Sequence, residues 1–237
     1  MQRLFTVTVL VFAFAGCGGS GSSSMMPAAQ PAKVRYLDGA PSLETLLGSN
    51  VYLQVDSRTV VSIFDYGSMT SFLPVAAGTH ELVARNTLGY SVGPLKTTAL
   101  SPGKRYTLIV VGNNPHYRVL TFEEPAASAN AAVSLYGASP STPQASFGTF
   151  KASTGASFKQ LGSARFGTLA TVSLGKSAPD VGGYAGKSSS PLGELTPSQI
   201  NSFDLDNVLP FQRQSRLSLF LFDPKSGTPR VFGSLDE

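Results

Sequence analysis

The sequence predicts an all-β protein, and three observations support this fold class. Charged residues make up only 14% of the 237 residues, whereas Gly and Pro are frequent, with 24 and 16 copies. That composition suits short strands joined by turns better than long solvated helices. Short runs of alternating polar and apolar residues recur between turn signals, and their order is repeated in the second half of the chain. We therefore predict two tandem β-sandwich modules.

The alternation is clear at the start of the predicted first module, residues 33–124. Val34 and Tyr36 should face the core of the sandwich. Lys33 and Arg35, which alternate with them, should face solvent. This pattern is typical of a strand that is buried on one face only.

The run from Tyr106 to Val111 is different, because it is apolar on both faces and should form a central strand. Turn signals at residues 56–58 and 101–104 separate the predicted strands. Further strands are predicted at residues 51–56, 60–66, 72–75, 79–86, 95–100 and 117–122. Roughly eight short strands in about ninety residues indicate a β-sandwich of immunoglobulin-like size.

The second module is predicted from the repeated order of these signals in residues 125–237. Val133–Pro140 corresponds to Val34–Pro41, because each segment stands at the start of its predicted module. Arg165–Thr168 corresponds in the same way to Asp65–Ser68. The sequence therefore predicts a diverged tandem repeat. The alternative is one domain built from unrelated strands.

Two smaller features support the repeat. Both copies end on an acidic pair, Glu123-Glu124 and Asp236-Glu237. Gly67 and Gly167 occupy matching corners, and we predict that both take backbone angles that other residues rarely adopt.

Four segments of the first module resemble a bacterial envelope family, domain of unknown function 4397. They are Val34–Pro41, Tyr66–Val75, Ala77–Leu82 and Leu100–Thr107, so the resemblance covers roughly residues 33–124. It implies a secreted or lipid-anchored β-sandwich that is often repeated in tandem. It brings no catalytic residues, and none is assigned here.

The N-terminal residues 1–16 are predicted to be a signal peptide. Leu4–Ala15 is an apolar run that is too short to span a bilayer and has the length of a signal-peptide core. Phe14–Cys17 resembles the lipobox of bacterial lipoproteins, although Leu is the usual residue at the place of Phe14. This resemblance implies that Cys17 is lipidated and becomes the mature N-terminus. An ordinary secretory signal with an incidental cysteine is the alternative.

Cys17 is the single cysteine in the chain, so it cannot form an intramolecular disulfide. Two or three acyl chains on it, palmitate among them, would anchor the protein stably. Gly18 resembles the pattern that directs lipoproteins to the outer membrane, if the host has one. Residues 17–32 are then the lipidated cysteine and a flexible Gly/Ser/Pro tether.

Few residues are candidates for chemistry. His80 shares a strand face with Leu82 and is predicted to be a packed, hydrogen-bonded histidine, and His116 is predicted to be a solvated turn residue. Asp204 and Asp206, close to Asn207, could touch calcium, but the segment lacks the Gly and Glu of an EF-hand loop and is predicted to be a solvated loop. We predict no catalytic residue, no metal site and no cofactor.

Basic residues are scattered, and the formal net charge is +4. A basic sheet face that meets anionic headgroups or polysaccharide is one interpretation, and a solvated face without a ligand is the favoured one. The residues concerned are Arg35, Arg58, Arg85, Lys104, Arg105 and Arg118. The chain has no basic block, so nucleic acid is not predicted as a partner.

Together these observations predict a lipid-anchored protein of the bacterial cell envelope with a non-catalytic binding or structural role. Its partners would be the membrane, through Cys17, and an envelope protein or polysaccharide. The alternatives are an envelope hydrolase acting on glycan or peptide and an accessory subunit of an envelope assembly.

Overall fold

The computed structural model describes residues 30–48, 50–126, 130–149, 159–175, 216–225 and 230–236, and these residues are mostly β. The predicted all-β class is confirmed. In chain order the elements are β1 (Ala32–Asp38), α1 (Leu43–Leu47), β2 (Tyr52–Val55), β3 (Arg58–Val61), β4 (Leu73–Val75), β5 (Glu81–Arg85), β6 (Ser91–Lys96), β7 (Arg105–Asn113), β8 (His116–Glu123), β9 (Ala131–Gly137), β10 (Gln144–Thr149), β11 (Lys159–Arg165), β12 (Leu169–Gly175), β13 (Arg216–Phe222) and β14 (Arg230–Asp236).

The described strands form four sheets. Sheet 1 has the order β4-β1-β7-β8, and sheet 2 has the order β3-β2-β5-β6. Sheet 3 has the order β12-β9-β13-β14, and sheet 4 is the pair β10-β11. Sheets 1 and 3 share one pairing pattern, in which the two central strands are parallel and each outer strand is antiparallel to its neighbour.

Three hydrophobic cores lie between these sheets. Core 1 joins sheets 1 and 2 through residues such as Tyr36, Leu53 and Leu82. Core 3 joins sheets 1 and 3, and core 2 joins sheets 3 and 4. The described sheets therefore stack as four layers, and sheets 1 and 3 are covered on both faces.

β7 shows why this stacking suits the sequence. Apart from Thr107, the run Tyr106–Val111 is apolar, and every side chain in it is buried, because one face lies in core 1 and the other in core 3. The prediction of a central strand here is confirmed, since β7 lies between β1 and β8.

Some predicted boundaries are wrong. β3 ends at Val61, so Phe64 is buried outside any strand, and the strand expected at 95–100 runs instead from Ser91 to Lys96. That strand includes Gly93-Pro94, a pair that usually argues against a strand. It is tolerated because β6 is an edge strand, where Pro is not required to donate to a further partner. The short helix α1 was not predicted.

Gly67 and Gly167 form matching corners. Their φ angles are 82° and 78°, which confirms the predicted unusual backbone. The Gly67 N–H donates to Asp38 O, and the Gly167 N–H donates to Gly137 O, each at 2.7 Å. Each corner therefore closes onto the end of the first strand of its half of the chain.

The two corners differ in their surroundings. A Cβ atom added to Gly67 would lie 2.7 Å from Cε1 of Phe232, whereas one added to Gly167 would meet nothing within 4 Å. We expect Gly167→Ala to lower the free energy of unfolding by about 1 kcal/mol through backbone strain. Gly67→Ala should cost about 1 to 3 kcal/mol more because Phe232 must move. Urea unfolding of both variants tests this, and equal losses would contradict it.

Candidate functional site

Arg35 is the residue whose environment differs most from the prediction. It was expected to face solvent, but it is 1% exposed, so that prediction is wrong. The reason is that sheet 3 covers the face of sheet 1 on which Arg35 lies. Its guanidinium lies within 6 Å of the ring centroids of Phe72, Tyr136 and Phe220.

Every nitrogen of the Arg35 guanidinium group donates a hydrogen bond. Burial by itself lowers the pKa of Arg35, but the charges of Asp236 and Glu124 and the Tyr136 hydroxyl outweigh it and raise that pKa. The hydrogen bonds run from Nε to Thr107 Oγ1 (2.7 Å), from Nη1 to Asp236 Oδ1 (2.6 Å), and from Nη2 to Glu124 Oε1 (3.2 Å), Tyr136 OH (3.1 Å) and Ser218 Oγ (3.3 Å).

Glu124 is the second centre of this buried cluster. Its carboxylate accepts hydrogen bonds from the hydroxyls of Thr107 and Tyr136 and from Nη1 of Arg216, the last at 3.1 Å. Two arginines thus face two carboxylates, Glu124 and Asp236, and their formal charges cancel. The neutrality of the cluster and the burial of Arg35 and Glu124 suit a structural link between sheets 1 and 3 better than a site for ligand exchange.

The sequence contained one signal for this cluster. Each predicted copy ends on an acidic pair, and one member of each pair, Glu124 and Asp236, binds Arg35. That Arg35 would meet both could not be predicted, because the sequence does not say that the two copies pack through this face.

The other basic residues do not share one sheet. Arg58 and Arg85 are exposed on sheet 2, whereas Arg118 lies on sheet 1 with its guanidinium 4.4 Å from the Phe166 ring centroid. Arg105 stacks on Phe72 at 4.0 Å, and exposed Lys104 pairs with Glu123. The basic sheet face that was one interpretation of the sequence is therefore divided between sheets 1 and 2.

His80 is buried just before β5. Its Nδ1 lies 2.6 Å from Asp56 Oδ2, and its Nε2 lies 2.9 Å from Ala76 O. Both partners are acceptors, so both bonds form together only when both ring nitrogens carry hydrogen. The backbone N–H of Glu81 and the His80 ring hold the pKa of the Asp56 carboxyl below its usual value. The prediction of a packed, hydrogen-bonded histidine is confirmed.

Asp38 is a buried carboxyl that sequence reasoning missed. Its Oδ1 accepts the N–H of Ala40 at 2.8 Å, and its Oδ2 makes no hydrogen bond to the described residues. Burial raises the pKa of Asp38 to about 8. The group is therefore mostly neutral at pH 7, and its neutral form is the less costly one to bury.

Other predicted residues lie outside the described part of the chain, namely Cys17, Asp204, Asp206 and Asn207. Within the described residues, no group of three or more His, Cys, Asp or Glu side chains is placed to hold a metal ion. No helix in these ranges is long and apolar enough to cross a membrane.

Sheets 1 and 2 form a sandwich around core 1, which we call the first sandwich. One end of it carries exposed segments, and we call this end the loop end: Leu43–Leu47, residues 62–64 and residues 86–90. Nδ2 of Asn86 donates to Leu47 O at 2.6 Å, which ties the β5–β6 turn to α1. Phe64 N donates to Val51 O at 2.7 Å and ties residues 62–64 to the start of β2.

The loop end exposes large apolar side chains. Leu88 is 81% exposed, Tyr90 66%, Ile63 63% and Leu46 43%. The chain enters the sandwich at the opposite end, where Gly103 N donates to Gln30 O, because β1 runs from there towards α1. Exposed apolar residues that converge on one surface are typical of an interaction site.

The β7–β8 hairpin adds a groove at the same end. It has a volume of about 560 Å³ and is lined by residues 112–118 and Pro140. His116 lies here and is exposed, which agrees with the prediction of a solvated residue. The hydroxyls of Ser42 and Tyr117 are 2.8 Å apart and connect the groove to the segment before α1.

The layers and the loop end define this chain as an all-β protein of the β-sandwich type. Residues 32–147 match the model of the family described as domain of unknown function (DUF4397). The predicted resemblance is confirmed, and the match extends beyond Glu124 into β10. No curated protein matches the chain.

Removing the charge of Arg35 should be costly. Arg35→Met leaves the Glu124 carboxylate buried without the Arg35 charge that pairs with it. We expect this variant to lower the free energy of unfolding by about 3 to 5 kcal/mol. Adding Glu124→Gln should restore part of the loss. The control is Lys104→Met, which breaks an exposed ion pair of 2.9 Å and should cost at most about 1 kcal/mol. Urea unfolding measures all three variants, and similar costs for the two single variants would refute the prediction.

Proposed function

We propose that this chain is a lipid-anchored protein of the bacterial cell envelope with a non-catalytic binding or structural role. Residues 1–16 serve as its signal peptide, Cys17 carries the lipid and residues 17–32 form the tether. The support is the lipobox-like segment that ends at Cys17. In a host with an outer membrane, Gly18 favours that membrane as the destination.

We also propose that residues 33–124 and 125–237 are tandem copies of one sandwich. The repeated pairing supports this, because Lys33 lies opposite Arg105 between β1 and β7, and Ala132 lies opposite Arg216 between β9 and β13. The matching corners at Gly67 and Gly167 support it as well.

The observation that favours binding is the loop end. Leu88 and Tyr90 project from a turn that the Asn86 side chain fixes, since its Oδ1 accepts both backbone N–H groups, at 3.0 and 2.9 Å. Apolar side chains on an ordered turn lose little entropy when a partner covers them. The partner we favour is an envelope protein or polysaccharide held at the end of the molecule away from the tether.

An enzymatic role has weaker support. Both ring nitrogens of His80 are engaged in a structural contact, and His116 lies on a different sheet, at the opposite end of the sandwich. General acid–base chemistry needs such groups to converge in one cleft. An accessory subunit of an envelope assembly remains the second candidate, because the exposed apolar loop end would also suit a protein contact.

Lipid attachment is tested at Cys17. Cys17→Ala should abolish incorporation of labelled fatty acid, because the acylated thiol is lost, and should leave the precursor unprocessed. The labelled fatty acid bound to the protein is measured in membrane fractions of cells that express either form. Equal labelling of both forms would show that the anchor lies elsewhere.

Binding is tested on immobilised residues 33–237 with an extract of the envelope. We expect Leu88→Ser with Tyr90→Ser to reduce retention of the bound component at least about tenfold, because the apolar contact is lost. The matched control is Thr98→Ala with Ser101→Ala, two exposed residues at the other end of the sandwich, which should retain it fully.

The same soluble protein should hydrolyse no ester, peptide, glycoside or phosphoester in a panel assay. Two results would overturn the proposal. One is equal retention by the loop variant and the control. The other is turnover that His80→Ala or Asp206→Ala abolishes while the circular dichroism spectrum stays unchanged.

A further inference from the structure

The groove of the β7–β8 hairpin has walls that come from two sheets. One wall is the hairpin of sheet 1, residues 112–118, and the other is Pro140, which follows β9 of sheet 3. The volume of about 560 Å³ lies in the range that is typical of small-molecule sites in proteins. The docking of sheet 3 on sheet 1 therefore creates a groove that neither sheet has alone.

Both walls of the groove are fixed by hydrogen bonds. In the hairpin turn, the N–H of Asn114 donates to Ser42 Oγ at 3.3 Å. Next to Pro140, the N–H of Ser141 donates to Asp223 Oδ1 at 3.1 Å. A ligand that enters such a groove orders few further groups, so little of the binding free energy is lost as entropy.

Arg118 supplies the positive charge of the groove. Its side chain is exposed, and its guanidinium lies 4.4 Å from the centroid of the Phe166 ring, which packs against core 3. A guanidinium that stacks on a ring directs its N–H groups sideways, because they lie in its own plane. In that orientation it can bind two oxygens of a carboxylate or phosphate at once. The described lining residues include no Asp or Glu that would compete for this cation.

The other side chains of the groove suit a ligand with many hydroxyl groups. Asn113 and Asn114 are exposed, and each amide offers both donors and an acceptor. A sugar hydroxyl also donates and accepts, whereas an ionised carboxylate only accepts. Pro115 and Pro140 are exposed as well and present apolar rings to the C–H groups of a sugar. One cation among amides and apolar rings therefore fits an acidic saccharide better than a simple anion.

We propose that this groove binds a saccharide that carries a carboxylate or phosphate group. Arg118 binds the anionic group, and the amides of Asn113 and Asn114 bind hydroxyls of the sugar. The inference rests on the proposed function, in which a polysaccharide is one possible partner, and it adds a site beside the apolar side chains of the loop end. The groove lies at the end opposite to Gln30, where the chain enters, which favours a polysaccharide over the headgroups of the anchoring membrane.

An NMR titration of the full chain with defined probes tests this inference. The probes are a tetrasaccharide of galacturonic acid, its neutral methyl ester and mannose 6-phosphate. We expect a charged probe to shift amide signals within residues 112–118. The methyl ester should bind at least about tenfold more weakly than the acid, because charge-assisted hydrogen bonds are lost. Shifts with the galacturonate alone would assign the substituent as a carboxylate, and shifts with mannose 6-phosphate alone would assign it as a phosphate.

Variants of Arg118 test its role in the groove. Arg118→Gln should weaken binding of the charged probe at least about tenfold, because the anion loses its cation. Arg118→Lys keeps the charge but lacks the planar fork, so it should weaken binding less. The matched control is Arg58→Gln, which removes the same charge from an exposed arginine of sheet 2 and should leave binding unchanged. Unchanged amide signals of β2 and β5 show that each variant is folded.

Several results would overturn the proposal. They are the lack of shifts with both charged saccharides, equal binding of the galacturonate and its methyl ester, and equal weakening by Arg118→Gln and Arg58→Gln. Binding of tetraglutamate or inorganic phosphate as tightly as the saccharides would show that the groove recognises charge alone. Shifts with phosphatidylglycerol vesicles only would assign the groove to a membrane surface. Either of these two results would overturn it as well.

Failure of this inference is distinguishable from failure of the proposed function. Leu88→Ser with Tyr90→Ser leaves Arg118 in place, so loss of the envelope component with that variant supports the proposed function whatever the groove binds. Conversely, Arg118-dependent binding of a charged saccharide supports the groove even when the loop variant retains the envelope component fully.

Discussion

The stacking of the layers depends on a cation that is buried between two sheets. Arg35 is closed off from water, so each of its donors needs a partner, and the partners come from both sheets that enclose it. Separating sheets 1 and 3 would expose the apolar residues of core 3 and would also part Arg35 from Asp236 and Glu124 from Arg216. Leaving a buried charge without its partner costs more free energy than losing apolar contacts alone. The charged cluster therefore favours this one placement of sheet 3 on sheet 1 over others.

The sheet faces that meet in core 3 are equivalent faces of a repeated pattern. Leu37 in β1 corresponds to Tyr136 in β9, and Ile109 in β7 corresponds to Phe220 in β13. A division of the chain after residue 124 would place the boundary of the domains between two sheets that share a core. The family match, which extends to residue 147, includes strands on both sides of that boundary.

This arrangement bears on where a function could lie. Both faces of sheet 1 are covered by other sheets, and the charged groups between sheets 1 and 3 hold these two sheets together. His80 is used in fixing the turn at Asp56. The loop end is different, because the large apolar side chains there are ordered by the hydrogen bonds of Asn86 and remain exposed. Our proposal of binding without catalysis follows from that contrast.

The sequence by itself determined what local patterns can encode. Alternation and turn residues predicted the all-β class, the continuous apolar run predicted β7 as a central strand, and matching corners predicted the angles of Gly67 and Gly167. Prediction from the sequence failed for residues whose burial is set by tertiary packing. Arg35 follows the alternation of an outward residue, and only the docking of sheet 3 turns that outward face into a core. Periodicity describes one strand at a time, whereas burial of its second face depends on a sheet about a hundred residues away.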